Sequence, residues 1–229
     1  MTLREQAYEA FTGHLLARRL LPGQFVTQRD LATLTGFPLG AIREMIPRLE
    51  AEGLVRAFPQ RGLQVVGIEP RLVRDAFQMR EVVETAALSL FVRSATEDEI
   101  AALRAELDGV IEAAEAGPVD AALLKRAQRV DWGLHDCIVE AMGNALIADL
   151  HRVNAIRIRM MMQESVRLSA EVLPPSLGEH ARILSALAAR DEAAALAALR
   201  AHLASARRRA LGVETETPSH SSNQGNVTP

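Results

Sequence analysis

Apolar residues at Leu3, Ala7, Phe11, Leu15 and Leu16 recur at helical spacing and predict one amphipathic helix over residues 3–20, stopped by Pro22-Gly23 in LLPGQ. A short second helix fits Gln28 to Thr35, with Thr27 as its cap, Asp30 three residues on, and Gly36 where a helix end favours positive φ. A third spans GAIREMIPRLEAEGLV, residues 40–55, with Pro47 in its interior. Proline there deletes a backbone hydrogen bond and costs roughly 3 kcal/mol in an ordinary helix. Packing of Ile42, Ile46 and Leu49 can outweigh that loss, so the expectation is a continuous helix with a local bend. After Gly53 the pattern changes: LVRAF and LQVVG are β-prone runs around PQRG, a small hairpin.

Beyond Gly67 the pattern is helical almost to the end. A linker at 68–72, in which Pro70 suits the first turn of a helix, opens IEPRLVRDAFQMREVVETAALSLFVRSA, and successive helix-length segments stop at Gly117-Pro118 and Gly143. A long segment from Asn144 to about Ser169 follows, then PPSLGEHARILSALAARD and EAAALAALRAHLASARRRALG. The fold class is therefore mainly α: an N-terminal winged helix-turn-helix (1–67) made of three helices and a β-hairpin, then an all-α antiparallel bundle (73–211). The polar tail, 212–229, is expected to be disordered.

Composition narrows the class. The 229 residues are 48% hydrophobic, enough to bury a core without staples, and aromatics at 3% favour helix over sheet. A lone cysteine, Cys137, forms no intrachain disulfide, and no charge-free apolar run suits a signal peptide or a membrane span; a cytoplasmic protein is expected. Net charge is −3, but residues 1–70 hold eight arginines against seven acids, +1, leaving −4 behind them. Bulk charge thus permits DNA binding at the front without requiring it.

The chemistry lies in the rear half. Asp131 and His135 are four residues apart on one helix and project from the same face. If the last two helices are antiparallel about Arg190-Asp191, His180 and His202 come to similar height. One carboxylate and three imidazoles suit Zn²⁺, Ni²⁺ or a similar divalent cation, with positions left for a ligand. A plainer reading stays open: a solvated Asp131–His135 pair, and a capping box from Ser176 to Glu179 that leaves His180 exposed in a first turn.

Several motifs resemble a known family. LLPGQ, DLATLTG, IREMIPRLEAEGLV and QRGLQV look like the DNA-binding domain of GntR-family transcription regulators. VDWGLHDCIVEAMGN, GEHARIL and RAHL resemble the metal-containing effector domain of the FadR subgroup. The resemblance implies a homodimeric regulator, usually a repressor, acting on a double-stranded DNA operator, with Asp131, His135, His180 and His202 as metal ligands. It implies that Arg80 faces the pocket and receives a small organic acid effector, with Asn154 and Arg157 as further polar groups there; the alternative for Arg80 is a surface pair with Glu84. DNA contact is implied for Arg29, Arg43 and Arg48, and for Arg61 and Gly62 at the wing tip. Where typical members place a small hydroxyl residue, an arginine and a threonine, this chain has Pro38, Leu39 and Gly40. Leu39 offers only apolar contact to a thymine methyl and Gly40 only close approach, so an operator unlike the usual one is expected. Rival readings are a metal-dependent enzyme, for which no H-E-x-x-H or evident general base is present, and a purely structural metal.

Overall fold

The computed structural model describes residues 1–165 and 173–212. The expected disordered tail, apart from Gly212, and the end of the long 144–169 segment lie outside the described residues. The first helix, α1 (Leu3–Leu16), ends four residues earlier than the apolar pattern suggests. Arg18 adopts φ 57°, and the amides of Arg18, Arg19 and Leu20 turn back onto the carbonyls of Leu15 and His14, so the chain leaves the helix while Leu20 stays in the core.

β1 (Phe25–Val26) comes next, then α2 (Gln28–Thr35), α3 (Leu39–Ala51), β2 (Val55–Phe58) and β3 (Gly62–Val65). The expected cap of α2 forms as a full capping box between Thr27 and Asp30, and Gly36 closes the helix at φ 75°. α3 runs unbroken through Pro47, whose ring faces solvent while Ile42, Met45, Ile46 and Leu49 are buried. The hairpin carries a third strand that the sequence pattern did not mark: β1 pairs antiparallel with β3, giving the order β1-β3-β2, with Val26 opposite Leu63 and Phe58 opposite Gly62. Two residues are too few to show an alternation, and their pairing is tertiary.

The connection to the bundle is shorter than the expected 68–72. Pro70 opens α4 (Pro70–Ser94) at its first position, where the missing N–H costs nothing, so only 66–69 are without regular structure. α5 (Glu97–Ala116), α6 (Ala121–Glu140), α7 (Ala145–Ser165), α8 (Leu173–Ala188) and α9 (Glu192–Ala210) complete the described chain. α8 and α9 form the expected helical hairpin: Arg190 takes φ 56° and Asp191 caps α9 through the amide of Ala194.

Three apolar clusters hold these elements. One fills the winged domain and includes Ile156 and Met160, contributed by α7 of the bundle. The second is the bundle core around Leu88, Phe91, Leu107, Ile138, Ile183, Leu184 and Leu199. The third packs Val73 and Phe77 of α4 against Trp132 of α6 and Ile158 of α7. α7 is thus shared by both domains.

Candidate functional site

The bundle brings four predicted ligands together. Asp131 and His135 of α6, His180 of α8 and His202 of α9 each offer one ligand atom, and these atoms lie within 4.8 Å of one another. His180 Nε2 is 3.1 Å from Asp131 Oδ1 and 3.4 Å from His135 Nε2. All three histidines are buried, so the solvated Asp131–His135 pair and the exposed His180 are both excluded. The capping box at Ser176 does not form either: α8 begins earlier, at Leu173, and Ser176 is a buried interior residue beside the cavity.

Burial sets the protonation of the cluster. Desolvation, with the neighbouring His202 adding to it, pushes His180 down to about 3, and desolvation and the Arg80 charge also lower His135. At neutral pH both rings are uncharged and keep a lone pair for a cation. Burial works against the Asp131 carboxylate, but the surrounding histidines outweigh it and its pKa falls. A carboxylate and three imidazoles converging on one point form a donor set that fits a borderline divalent cation.

Two carboxylates behind the rings escaped the sequence reading. Glu84 of α4 is 1% exposed and holds Oε2 2.7 Å from His135 Nδ1, in direct contact though not aligned as a hydrogen bond. Its Oε1 accepts from Arg80 Nε at 2.5 Å. Burial raises the Glu84 pKa, but Arg80 and His135 overcome it and hold the carboxyl far below its usual range. Glu179 of α8 sits 2.9 Å from His202 Nδ1 and also accepts from Arg209 at 3.2 Å; despite partial burial these bonds hold it at about 2. Each carboxylate engages the Nδ1 side of its ring and leaves Nε2 for the cluster, as outer partners of metal-bound histidines do. The only hint in the sequence was position: Glu84 one turn after Arg80, and Glu179 next to His180.

The cluster opens into a cavity of about 610 Å³ walled by α4, α6, α7, α8 and α9, with Asp131 and His202 in its lining. Arg80 lines it too. The sequence alternatives for this residue combine: it pairs with Glu84, but inside the protein, 4% exposed, and its Nη2 has no hydrogen-bond partner among the described residues. Arg159 of α7 also lines the cavity and was not anticipated; it and Arg80 stand 4.6 and 4.9 Å from the Trp132 ring centroid.

Asn154 and Arg157 do not line this cavity, which corrects their expected role. Asn154 is buried and donates to the carbonyl of Ala76 at 2.9 Å, tying α7 to α4. Arg157 turns to the winged domain and donates to the carbonyl of Glu52, which caps α3. On a helix, positions 154 and 157, three apart, share one side, while 159 lies well round from both, and of the three only 159 faces the pocket.

In the winged domain Arg29, Arg43 and Arg61 are exposed, with Arg43 donating to Gln28 at 3.1 Å and Arg61 lying over the Phe25 ring at 4.3 Å. Gly40 is exposed and Leu39 half-buried at the start of α3, which has no side-chain cap from Pro38. Gly62 is required by its own fold: φ is 89° and a Cβ would lie 2.6 Å from the Val26 carbonyl. Arg48 is engaged at the domain junction. It pairs with Glu52 at 2.9 Å and covers Tyr8, whose hydroxyl donates to Glu52 and accepts from Arg152 of α7 at 2.8 Å.

Comparison with known proteins decides the family. Residues 3–65 match the gntR family of bacterial regulatory proteins, and residues 75–205 match the FCD domain. The chain is a GntR-family transcription regulator with an FCD domain. This regulator is 28% identical to the Nta operon transcriptional regulator of Aminobacter aminovorans over 185 residues, 80% of this chain and 82% of that protein. It is 28% identical to the transcriptional repressor GlaR of Escherichia coli K12 over 201 residues, 86% and 90% of the two chains. Its fold is similar to that of E. coli McbR/YncC, with a TM-score of 0.75 at 19% identity over 90% of this chain and 95% of the other. The family and these relatives are regulators of transcription, not enzymes. Among the described residues, no helix is long and apolar enough to cross a membrane.

Proposed function

We propose that this regulator is a cytoplasmic, homodimeric repressor whose FCD domain holds a divalent metal ion, zinc or nickel, and senses a small carboxylate metabolite. The observation that carries this reading is the convergence of Asp131, His135, His180 and His202 on one point at the wall of the 610 Å³ cavity. Bound there, the cation would supply Lewis-acid positions for a carboxylate oxygen. Arg80, with Glu84 on its Nε and no hydrogen-bond partner on its Nη2 among the described residues, would take the other oxygen in a charge-assisted bond.

Two rival roles fit less well. A structural metal favours a closed shell, whereas this cluster opens onto a cavity. A hydrolytic metal needs a general base nearby, and the adjacent carboxylates, Glu84 and Glu179, are engaged with histidine rings. Dimerisation is supported by Leu146 and Leu150, one turn apart on α7 and 76% and 56% exposed, and by the need to present two half-sites.

Ligand binding would act on DNA through α7. The helix lines the cavity with Ile158 and Arg159 and grips the winged domain with Arg152, Ile156, Arg157 and Met160. A ligand that favours one arrangement of these contacts shifts the placement of the winged domains.

The test is metal analysis of the purified protein, then calorimetry of the metal-loaded form with organic acids. One metal per chain and a saturable heat with an acid, both lost in His180→Ala, are expected. Failure to bind any divalent transition metal would end the proposal.

A further inference from the structure

The cavity holds more positive charge than one metal-bound carboxylate requires. A second chamber of about 340 Å³ adjoins the first, and Leu16, Lys125, Gln128 and Arg159 line both. None of the four ligand candidates lines this outer chamber, and neither does Arg80. Its charged residues are three cations, Lys125, Arg129 and Arg159, and one acid, Asp136, one of whose oxygens lies 2.9 Å from His151 Nε2. Arg159 stands at the junction of the two chambers, with a buried Nε that has no hydrogen-bond partner among the described residues. A buried, unsatisfied guanidinium donor is costly unless an anion reaches it.

We propose that the outer chamber is a second oxyanion subsite, so that the effector is a dianion: one carboxylate at the metal and Arg80, the other acidic group on Arg159, flanked by Lys125 and Arg129. The proposal rests on the metal-carboxylate reading above and extends it to the class of acid. Arg80 and Arg159 share Trp132 as a neighbour, so a short chain spans the two subsites. The roof of the cavity is Leu16, Ala17 and Arg18, the end of α1 in the winged domain. Of these residues Leu16 lines both chambers, so a dianion seated in both lies against the winged domain along its whole length, while a monoacid held only at the metal does not reach the outer chamber. That difference in contact is what an effector needs in order to favour one domain arrangement.

The probes are butanoate, pentanoate and hexanoate against succinate, glutarate and adipate, with 3-phosphonopropionate as a phosphorus oxyanion. Each is titrated calorimetrically into the metal-loaded full chain. At least one dianion should bind about tenfold or more tightly than its matching monoacid, the worth of one charge-assisted contact. A diacid as the best ligand points to a dicarboxylate effector, and the phosphonate to a phosphorylated acid. Arg159→Gln should erase the preference, and Arg129→Gln, which lines the outer chamber alone, should reduce it several-fold while leaving metal content and monoacid affinity within about twofold. Arg129 is exposed, so its variant tests the subsite without disturbing the stack on Trp132. Monoacids that bind as tightly as every dianion, or variants that keep the full preference, overturn the second subsite and leave the metal-carboxylate reading standing. Absence of binding by both series overturns both.

Discussion

Arg157, on a helix that walls the 610 Å³ cavity, donates to the main-chain carbonyl of Glu52, the residue that caps the helix carrying Arg43. The cavity and α3 are therefore two contacts of one element, α7, with Arg159 facing the cavity two residues further on.

Replacing Arg157 by Met should uncouple the two domains more than it unfolds them. The lost hydrogen bond is worth about 1 kcal/mol of stability. Operator affinity measured by fluorescence anisotropy, with and without a binding acid, should show a smaller ligand-dependent difference than in the parent protein. An undiminished difference would mean that the signal takes another route.

Glu84→Gln keeps the size of the side chain but removes the charge facing both His135 Nδ1 and Arg80 Nε. Metal affinity, measured by competition with a chelating dye, should fall about 10–100-fold with all four ligands intact. An unaltered affinity would remove Glu84 from the metal's support.

The metal-free protein should be acid-sensitive. His180 binds a proton near 6.5 when unfolded but only near 3 when folded, so the unfolded state carries more protons between those values and stability falls as pH drops through that window. Glu179 acts in the same direction lower down: its carboxylate contributes stability above 4.5 that is lost as pH falls towards 2. Thermal melts of chelated protein should decline steadily from pH 7 to pH 3, and His180→Gln should flatten the upper part of the curve.

Pro47 is a removable cost. It faces solvent in a helix that is continuous from Leu39 to Ala51. Pro47→Ala restores a backbone donor and should raise stability, by at most about 3 kcal/mol, in urea denaturation. Marked destabilisation would show that a bend at Pro47 is part of the packing.

The start of α3 should also set an unusual operator. With Leu39 and Gly40 there, selection from a random DNA library should return half-sites unlike the usual family operator, and Arg43→Ala should weaken binding to them by about 1–3 kcal/mol. Recovery of the usual operator as the best ligand would sink this expectation.

The sequence alone determined whatever is local. Helical period, the Thr27 capping box, the glycine at Gly36 and the turn at Arg190 each depend on neighbours a few residues away, so the two-domain layout and the spacing of the four ligand candidates could be read directly. Tertiary structure decided which side of each residue matters. It added β1 by pairing two residues with β3, and it buried Arg80 with Glu84. Glu179 it placed behind His202 from another helix. Along α7 it sent Arg157 to Glu52 while Arg159 entered the cavity. These outcomes depend on which distant element packs against which face, and a spacing of three or four residues fixes a face without naming its partner.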